Sequence, residues 1–355
     1  MCGIIGATSS RSVGKILIKG LHAMEYRGYD SAGVALNQDN EVFRLRSLGK
    51  VSSLEELMVN NKPKAKSGIA HTRWATHGAP SEENAHPHGS HDEIYIVHNG
   101  IIENHDEIRD KLKSKGYNIA SETDSELIAH LIYLNKTDSL STLEALIKAT
   151  KELKGAFSIA AISSKEKGKI YAAKQKSPLL IGRGIDENFI ASDPLAIANI
   201  TEKFYLLEDG DFAEITENDI KIFNSYGEPV QREETKIDAT PTSTSKGNYS
   251  HFMEKEIYEQ PDALGNTING RLGENDVLDN IFGLGSSDAF KGVKRIQFVA
   301  CGTSLHAAKT ARKWFEDICE IPCYIDFASE YRYRNPIVED NTLFVTISQS
   351  GETAD

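Results

Sequence analysis

The residues best equipped for chemistry begin at the second position. Cys2 follows Met1 directly, and a cysteine there is small enough that removal of the initiator is expected. Removal would leave a thiol and an α-amine on one residue. Such an amine titrates near ~7.7 to 8.0, so its neutral fraction can accept the thiol proton without a separate histidine base. Met-Cys-Gly-Ile-Ile is equally readable as the end of a buried strand. Arg73 closes the apolar run before Trp74 and offers a planar fork suited to a carboxylate such as that of an amino acid; a surface ion pair is the other reading. Asn99-Gly100 ends a second apolar run and reads either as a tight turn or as an amide and a backbone N–H aimed at one oxyanion. Removing one such donor typically costs about 2.7 to 4 kcal/mol of transition-state stabilisation. Asp124, in Ser121-Glu122-Thr123-Asp124, reads as a helix cap or as an acceptor for an ammonium group.

The other chemistry-bearing features lie apart from these. Val299 to Ser304 and Thr346 to Thr353 share one design: an apolar strand, a turn rich in hydroxyls, and a helix start. Backbone N–H groups at helix starts, aided by Ser and Thr hydroxyls, bind phosphate without Lys or Arg. Two such turns on successive crossovers of one parallel sheet converge at its carboxyl edge. His86, His88 and His91 invite a zinc reading, but their spacing fits no usual ligand pattern, and loop contacts are the expectation. Cys319 and Cys323 flank a helix-to-strand turn and are read as packing residues.

These residues need elements to position them. Cys2 to Thr8 reads as a strand and Val13 to Met24 as a helix. Strands follow at Ala32 to Leu36 and Val42 to Leu48, then a helix near Ser53 to Val59 capped by Ser52 or Ser53. Apolar runs at Ser67 to Thr72 and Glu93 to His98 flank a polar stretch from Thr76 to Asp92 that is long for a connection. Helical spacing marks Asn104 to Lys115, Asp124 to Asn135 and Ser141 to Leu153, and short strand runs continue to Phe223. Residues 237–248, IDATPTSTSKGN, break the composition and are read as a linker between a domain at 2–236 and another at 249–355. Beyond it, helices are expected at His251 to Ile257 and Pro261 to Leu272. Buried strands at Arg295 to Cys301, Cys323 to Phe327 and Thr342 to Ser348 alternate with helices, which implies a parallel sheet.

Composition narrows the partners. A formal charge of -12 provides no basic field for nucleic acid or anionic lipid. No apolar run approaches the ~20 residues that span a bilayer, and four cysteines without framework spacing suit a reducing compartment. A cytoplasmic protein is expected.

Taken together, MCGIIGA, EYRGYDSAG, GIAHTRWATHG, NAHPH, VHNGIIEN and SETDSE resemble, in order and spacing, the class II glutamine amidotransferase domain with an N-terminal nucleophile (Ntn). CGTS and SQSGET resemble the sugar isomerase (SIS) domain, and the combination resembles the glutamine–fructose-6-phosphate aminotransferase family. The resemblance implies a four-layer αββα Ntn-hydrolase sandwich followed by part of a parallel-sheet α/β/α SIS domain. It implies that Cys2 attacks the glutamine amide to form a thioester, with its own α-amine as base and then acid, and that Asn99 and Gly100 form the oxyanion hole. Arg73 would bind the glutamine α-carboxylate with Thr76 and His77, Asp124 would hold the α-ammonium, Trp74 would cover the pocket, and Arg27 and Gly28 would support the nucleophile. Thr303, Ser304, Ser348, Gln349, Ser350 and Thr353 would contact fructose 6-phosphate. The product would be glucosamine 6-phosphate, an amino-sugar precursor, with no metal or organic cofactor and with the full-length family usually a homodimer.

Members of that family continue for a comparable stretch that carries the isomerisation base and the reactive lysine. The expectation is that this chain retains glutaminase chemistry and does not itself make glucosamine 6-phosphate. Phosphoribosyl-diphosphate amidotransferase and asparagine synthetase share the Cys2-led half, but no diphosphate- or ATP-binding loop is seen in the second. A non-catalytic sugar-phosphate sensor is the reading from another class, and intact Cys2, Arg73, Asn99 and Asp124 argue against it.

Overall fold

A computed structural model describes residues 2–38, 41–74, 78–137, 139–237, 249–268 and 286–348. The chain divides into two compact units, Met1–Asn248 and Tyr249–Asp355.

The first unit opens with β1 (Gly3–Ser9), α1 (Gly14–Ala23), the hairpin β2 (Ser31–Gln38) and β3 (Glu41–Leu48), α2 (Val51–Asn61) and β4 (Ser67–Arg73). Next come β5 (His88–Ser90), β6 (Ile94–Ile102), helices α3 (His105–Ser114), α4 (Ser125–Asn135) and α5 (Thr142–Thr150), and β7 (Gly155–Ser163). The remaining strands are β8 (Ile170–Gln175), β9 (Leu180–Arg183), β10 (Glu187–Ala191), β11 (Lys203–Leu206), β12 (Phe212–Ile215), β13 (Ile220–Phe223), β14 (Pro229–Val230) and β15 (Glu234–Lys236). Among the described residues they form two antiparallel sheets, in the orders β15-β11-β9-β10-β1-β4-β2-β3 and β14-β13-β12-β8-β7-β6-β5.

The two-residue period of the strands sorts their side chains into layers. Ile5, Ala7, Ala70, Phe189 and Ala191 join Leu17, Leu21 and Leu54 of α1 and α2. Their neighbours Ile4, Ile69 and Ile190 point the other way and meet Val97, Ala160 and Ile162 of the second sheet. On that sheet Ile94, Ile96, Ile159 and Ala161 face Ile108, Leu127, Leu131 and Leu146 of α3 to α5. The result is the four-layer αββα sandwich. Both faces of each sheet are apolar, which is why its central strands read as unbroken apolar runs.

Helix starts depart from the sequence reading where tertiary partners intervene. Ser141 and Glu144 form a reciprocal capping box on α5. Neither Ser52 nor Ser53 caps α2: the helix begins earlier, at Val51, whose N–H donates to the Tyr29 hydroxyl at 3.0 Å.

The second unit contains α6 (Phe252–Ile268), α7 (Ser286–Lys291), β16 (Arg295–Ala300), α8 (Gly302–Cys319), β17 (Cys323–Phe327), α9 (Ala328–Tyr333) and β18 (Thr342–Ile347). A parallel sheet in the order β17-β16-β18 confirms the alternating pattern. Two expectations are corrected. Pro261 lies inside a continuous α6 instead of separating two helices; proline removes one N–H donor and bends a helix without necessarily ending it. β18 is only partly buried, with Phe344 44% exposed. The core of this unit is small, built on Ile296, Phe298, Ala308 and Cys323. The Cys323 thiol is buried and donates to the Ile321 carbonyl, in accord with packing. From residue 238 onward the expected linker lies outside the described residues.

Candidate active site

The register of β1 against β4 pairs Gly3 with Thr72, which brings Cys2 to the end of β4 beside Arg73 and Trp74. The Trp74 backbone N–H donates to Cys2 Sγ at 3.2 Å, and the thiol in turn lies 3.6 Å from the Trp74 carbonyl. Burial pushes the thiol pKa up, and the Trp74 N–H, the terminal charge and Arg73 pull against it without prevailing. The thiol is therefore protonated at neutral pH, and attack through sulfur calls for a base at the moment of reaction. Met1 lies outside the described residues.

Asn99 approaches the same terminus from β6, its Nδ2 3.4 Å from the Cys2 carbonyl oxygen. The tight-turn reading of Asn99-Gly100 is ruled out, because β6 runs through both residues to Ile102 and stays paired with β7 throughout. Gly100 has φ +132°, and a Cβ there would lie 2.0 Å from the Ala156 carbonyl oxygen. Only glycine fits. The Asn99 side-chain oxygen lies 2.9 Å from His71 Nε2 in a fully buried contact.

Arg73 is no surface residue: it is 3% exposed, with Nη1 3.6 Å from Asp30 and Nη2 donating to the Gly78 carbonyl at 3.2 Å. Asp124 is 4% exposed and occupies the N-cap position of α4 without capping it. Its carboxylate instead accepts the Ile102 N–H at 2.9 Å, two residues past Gly100, and a Ser125 hydroxyl at 3.3 Å. Ser125 Oγ also lies 2.8 Å from His98 Nδ1, so the start of α4 is tied to the strand that carries Asn99.

Arg27 ends a short 3₁₀ turn, Glu25–Arg27, and forms a buried pair with Asp193 at 2.8 Å. Gly28 follows with φ +75°, and a Cβ there would lie 2.9 Å from the Trp74 indole, which therefore rests on it while remaining 53% exposed. Thr76 and His77 lie outside the described residues. Asp30, His71, Ser192 and Asp193 were not singled out by sequence. Ser192 holds β1 in place by exchanging hydrogen bonds with Ile4, its Oγ accepting from the Ile4 N–H and its own N–H donating to the Ile4 carbonyl, each at 3.0 Å. Asp193-Pro194 carries only a helix-start signature, which its bond from the Leu195 N–H fulfils; nothing local announces its reach to Arg27.

His71, His86 and His88 form a buried cluster. The rings of His71 and His86 meet edge-on at 4.1 Å and those of His86 and His88 at 4.7 Å, while His91 stacks on Tyr133. Burial holds His71, His86 and His88 neutral, lowering His71 to about 3. Among the described residues no group of three or more His, Cys, Asp or Glu could hold a metal ion, and no helix is long and apolar enough to cross a membrane.

In the second unit, Ala300 pairs with Ile347, so the turns after β16 and β18 begin side by side. Cys301 is the N-cap of α8 without a side-chain cap, leaving the N–H groups of its first turn for an anion. Thr303 is exposed, Ser304 is half-buried, and Ser348 follows β18. Gln349, Ser350 and Thr353 lie outside the described residues.

Comparison with known proteins finds a different domain family in each unit. Residues 71–199 match the family model of the glutamine amidotransferase domain, and residues 289–355 match that of the SIS domain. Two solved structures share the fold at 18% identity. One is the glutamine phosphoribosylpyrophosphate amidotransferase of B. subtilis, with a TM-score of 0.57 over 91% of this chain and 65% of that one. The other is described as the allosteric regulatory enzyme of purine biosynthesis, with a TM-score of 0.60 over 92% and 80%. The first unit carries the match to the glutamine amidotransferase domain and shares the fold of these two structures. Along its whole length the chain is 50% identical to the isomerizing glutamine–fructose-6-phosphate aminotransferases of Pseudomonas putida, Vibrio parahaemolyticus and Pseudomonas aeruginosa. It is a homologue of these enzymes and spans 58% of their length.

Proposed function

We propose that the first unit hydrolyses the side-chain amide of L-glutamine and that the ammonia goes to fructose 6-phosphate bound by the SIS domain, giving glucosamine 6-phosphate. The observation that carries this is the convergence of two donors on Cys2, the Trp74 N–H on its Sγ and the Asn99 amide on its carbonyl oxygen, with buried Arg73 adjoining. On this reading, residues 2–236 form the amidotransferase domain and residues 249–355 belong to the sugar-binding one, in a cytoplasmic enzyme whose full-length form dimerises.

Removal of Met1 frees the Cys2 α-amine, which takes the thiol proton as sulfur attacks the amide carbon. Asn99 and the Gly100 N–H receive the negative oxygen. The ammonium returns its proton to the departing nitrogen, ammonia leaves, and a thioester remains. Water then adds, glutamate departs, and the thiol is restored, so that glutamine and water become glutamate and ammonia. Arg73, with Thr76 and His77, takes the α-carboxylate; Asp124 takes the α-ammonium; Trp74 covers the pocket; and Arg27 and Gly28 support the nucleophile. Thr303, Ser304, Ser348, Gln349, Ser350 and Thr353 hold the sugar phosphate.

The test is to trap the chain with an electrophilic glutamine analogue and map the adduct. A single adduct on an N-terminal Cys2, together with loss of glutamate release by roughly 10³-fold or more in Cys2→Ser, is expected. An adduct elsewhere, retained Met1, or wild-type turnover in Cys2→Ser would refute the assignment.

A further inference from the structure

The strand that ends in Arg73 also carries His71, fully buried opposite Ile4 on one side and Gly33 on the other. His71 Nε2 lies 2.9 Å from Asn99 Oδ1, and the opposite end of that amide, Nδ2, lies 3.4 Å from the Cys2 carbonyl oxygen. An asparagine amide has two nearly isosteric orientations, and only its bonding partners choose between them. Only the orientation with the NH₂ toward Cys2 can serve an oxyanion. Flipped, the amide would set its oxygen against the Cys2 carbonyl and meet a developing negative charge with a lone pair.

A ring N–H on the far side enforces the productive orientation, because a flip would bring the NH₂ against it. Burial keeps the His71 ring neutral, with its pKa lowered to about 3, so the ring carries one proton. The acceptor at Oδ1 places that proton on Nε2. We infer that His71 is a positioning residue: by donating from Nε2 to Asn99 Oδ1 it locks the Asn99 amide with its NH₂ toward the oxyanion formed on glutamine. The same bond draws electron density toward Oδ1 and strengthens the amide N–H groups as donors. The inference rests on Cys2 and Asn99 acting as proposed above.

The experiment compares two reactions of one thiol in the full chain. His71→Phe is expected to lower kcat for glutamine hydrolysis about tenfold, less than outright loss of an oxyanion donor, with KM within about twofold. His71→Gln, whose side-chain N–H can reach Oδ1, should recover most of the rate. Alkylation of Cys2 by iodoacetamide, a displacement at saturated carbon that develops no carbonyl oxyanion, should proceed at the wild-type rate in both. In an Asn99→Ala background, His71→Phe should change kcat no further. If His71→Phe does not fold, His71→Asn, too short to reach Oδ1, takes its place. Wild-type kcat in the variant without the donor, additive losses in the double variant, or a parallel fall of alkylation and hydrolysis in every His71 variant overturns the inference. Failure of the underlying reading shows elsewhere, as undiminished hydrolysis in Cys2→Ser.

Discussion

The two candidate sites are built in different ways. In the first unit four of the candidate side chains are held by polar partners: Arg27 by Asp193, Arg73 beside Asp30, Asn99 by His71, and Asp124 by the Ile102 N–H. All four contacts join residues distant in sequence, and the side chains they hold are nearly all buried. In the second unit, among the described residues, Thr303 is exposed and α8 starts without a side-chain cap. The difference fits the proposed chemistry. Attack on an amide carbon demands reacting groups held within a fraction of an ångström, which requires a supporting layer. A phosphate dianion met by the backbone N–H groups of a helix start asks only that the strand end and the helix begin in the right place.

If that contrast is correct, changes in the first site should have large and separable effects. Asn99→Ala should lower glutaminase kcat by roughly 10² to 10³ while leaving KM near wild type. A comparable rise in KM alone, measured by steady-state glutamate release, would place Asn99 in substrate binding. Asp193→Ala leaves the buried Arg27 guanidinium without its carboxylate and should cost about 3 kcal/mol of stability in urea unfolding. A loss below about 0.5 kcal/mol would show that the support is dispensable.

The buried histidines supply a pH test of the same preorganisation. For His71, His86 and His88 the folded pKa lies below the unfolded value near ~6.5. Above that pH both states are neutral and the groups contribute nothing. Below it the unfolded chain takes up protons that the folded chain refuses, so stability should fall by up to about 1.4 kcal/mol per pH unit for each histidine, until the folded pKa is reached. Urea midpoints for the first unit that do not move between pH 7 and pH 5 would contradict the neutral state of these buried histidines. The smallest effect is expected in the other site: Thr303→Ala should weaken fructose 6-phosphate binding by roughly tenfold or less, with folding changed by no more than about 0.5 kcal/mol. A calorimetric titration showing complete loss would make Thr303 a principal anchor and erase the contrast.

Much of this was legible along the chain. Buried strands showed as apolar runs, the second half as strand and helix in alternation, and Cys2, Arg73, Asn99 and Asp124 as chemically suited residues at the ends of elements. Local signals misled where a distant group took over a local task. Serines near α2 gave way to the Tyr29 hydroxyl, and Asp124 gave up capping to hold Ile102. Asn99-Gly100, a frequent turn pair, stays inside a strand because the β7 ladder continues past it.

The sequence by itself determined which segments bury apolar surface and which residue types stand at their ends, because periodicity and composition act over a few neighbours. The tertiary structure alone decided the partners: Arg27 with Asp193, 166 residues away, and Asn99 with His71, 28 residues away. Such pairs leave no trace in spacing, since a hydrogen bond depends on where two strands meet in space and on the water excluded between them.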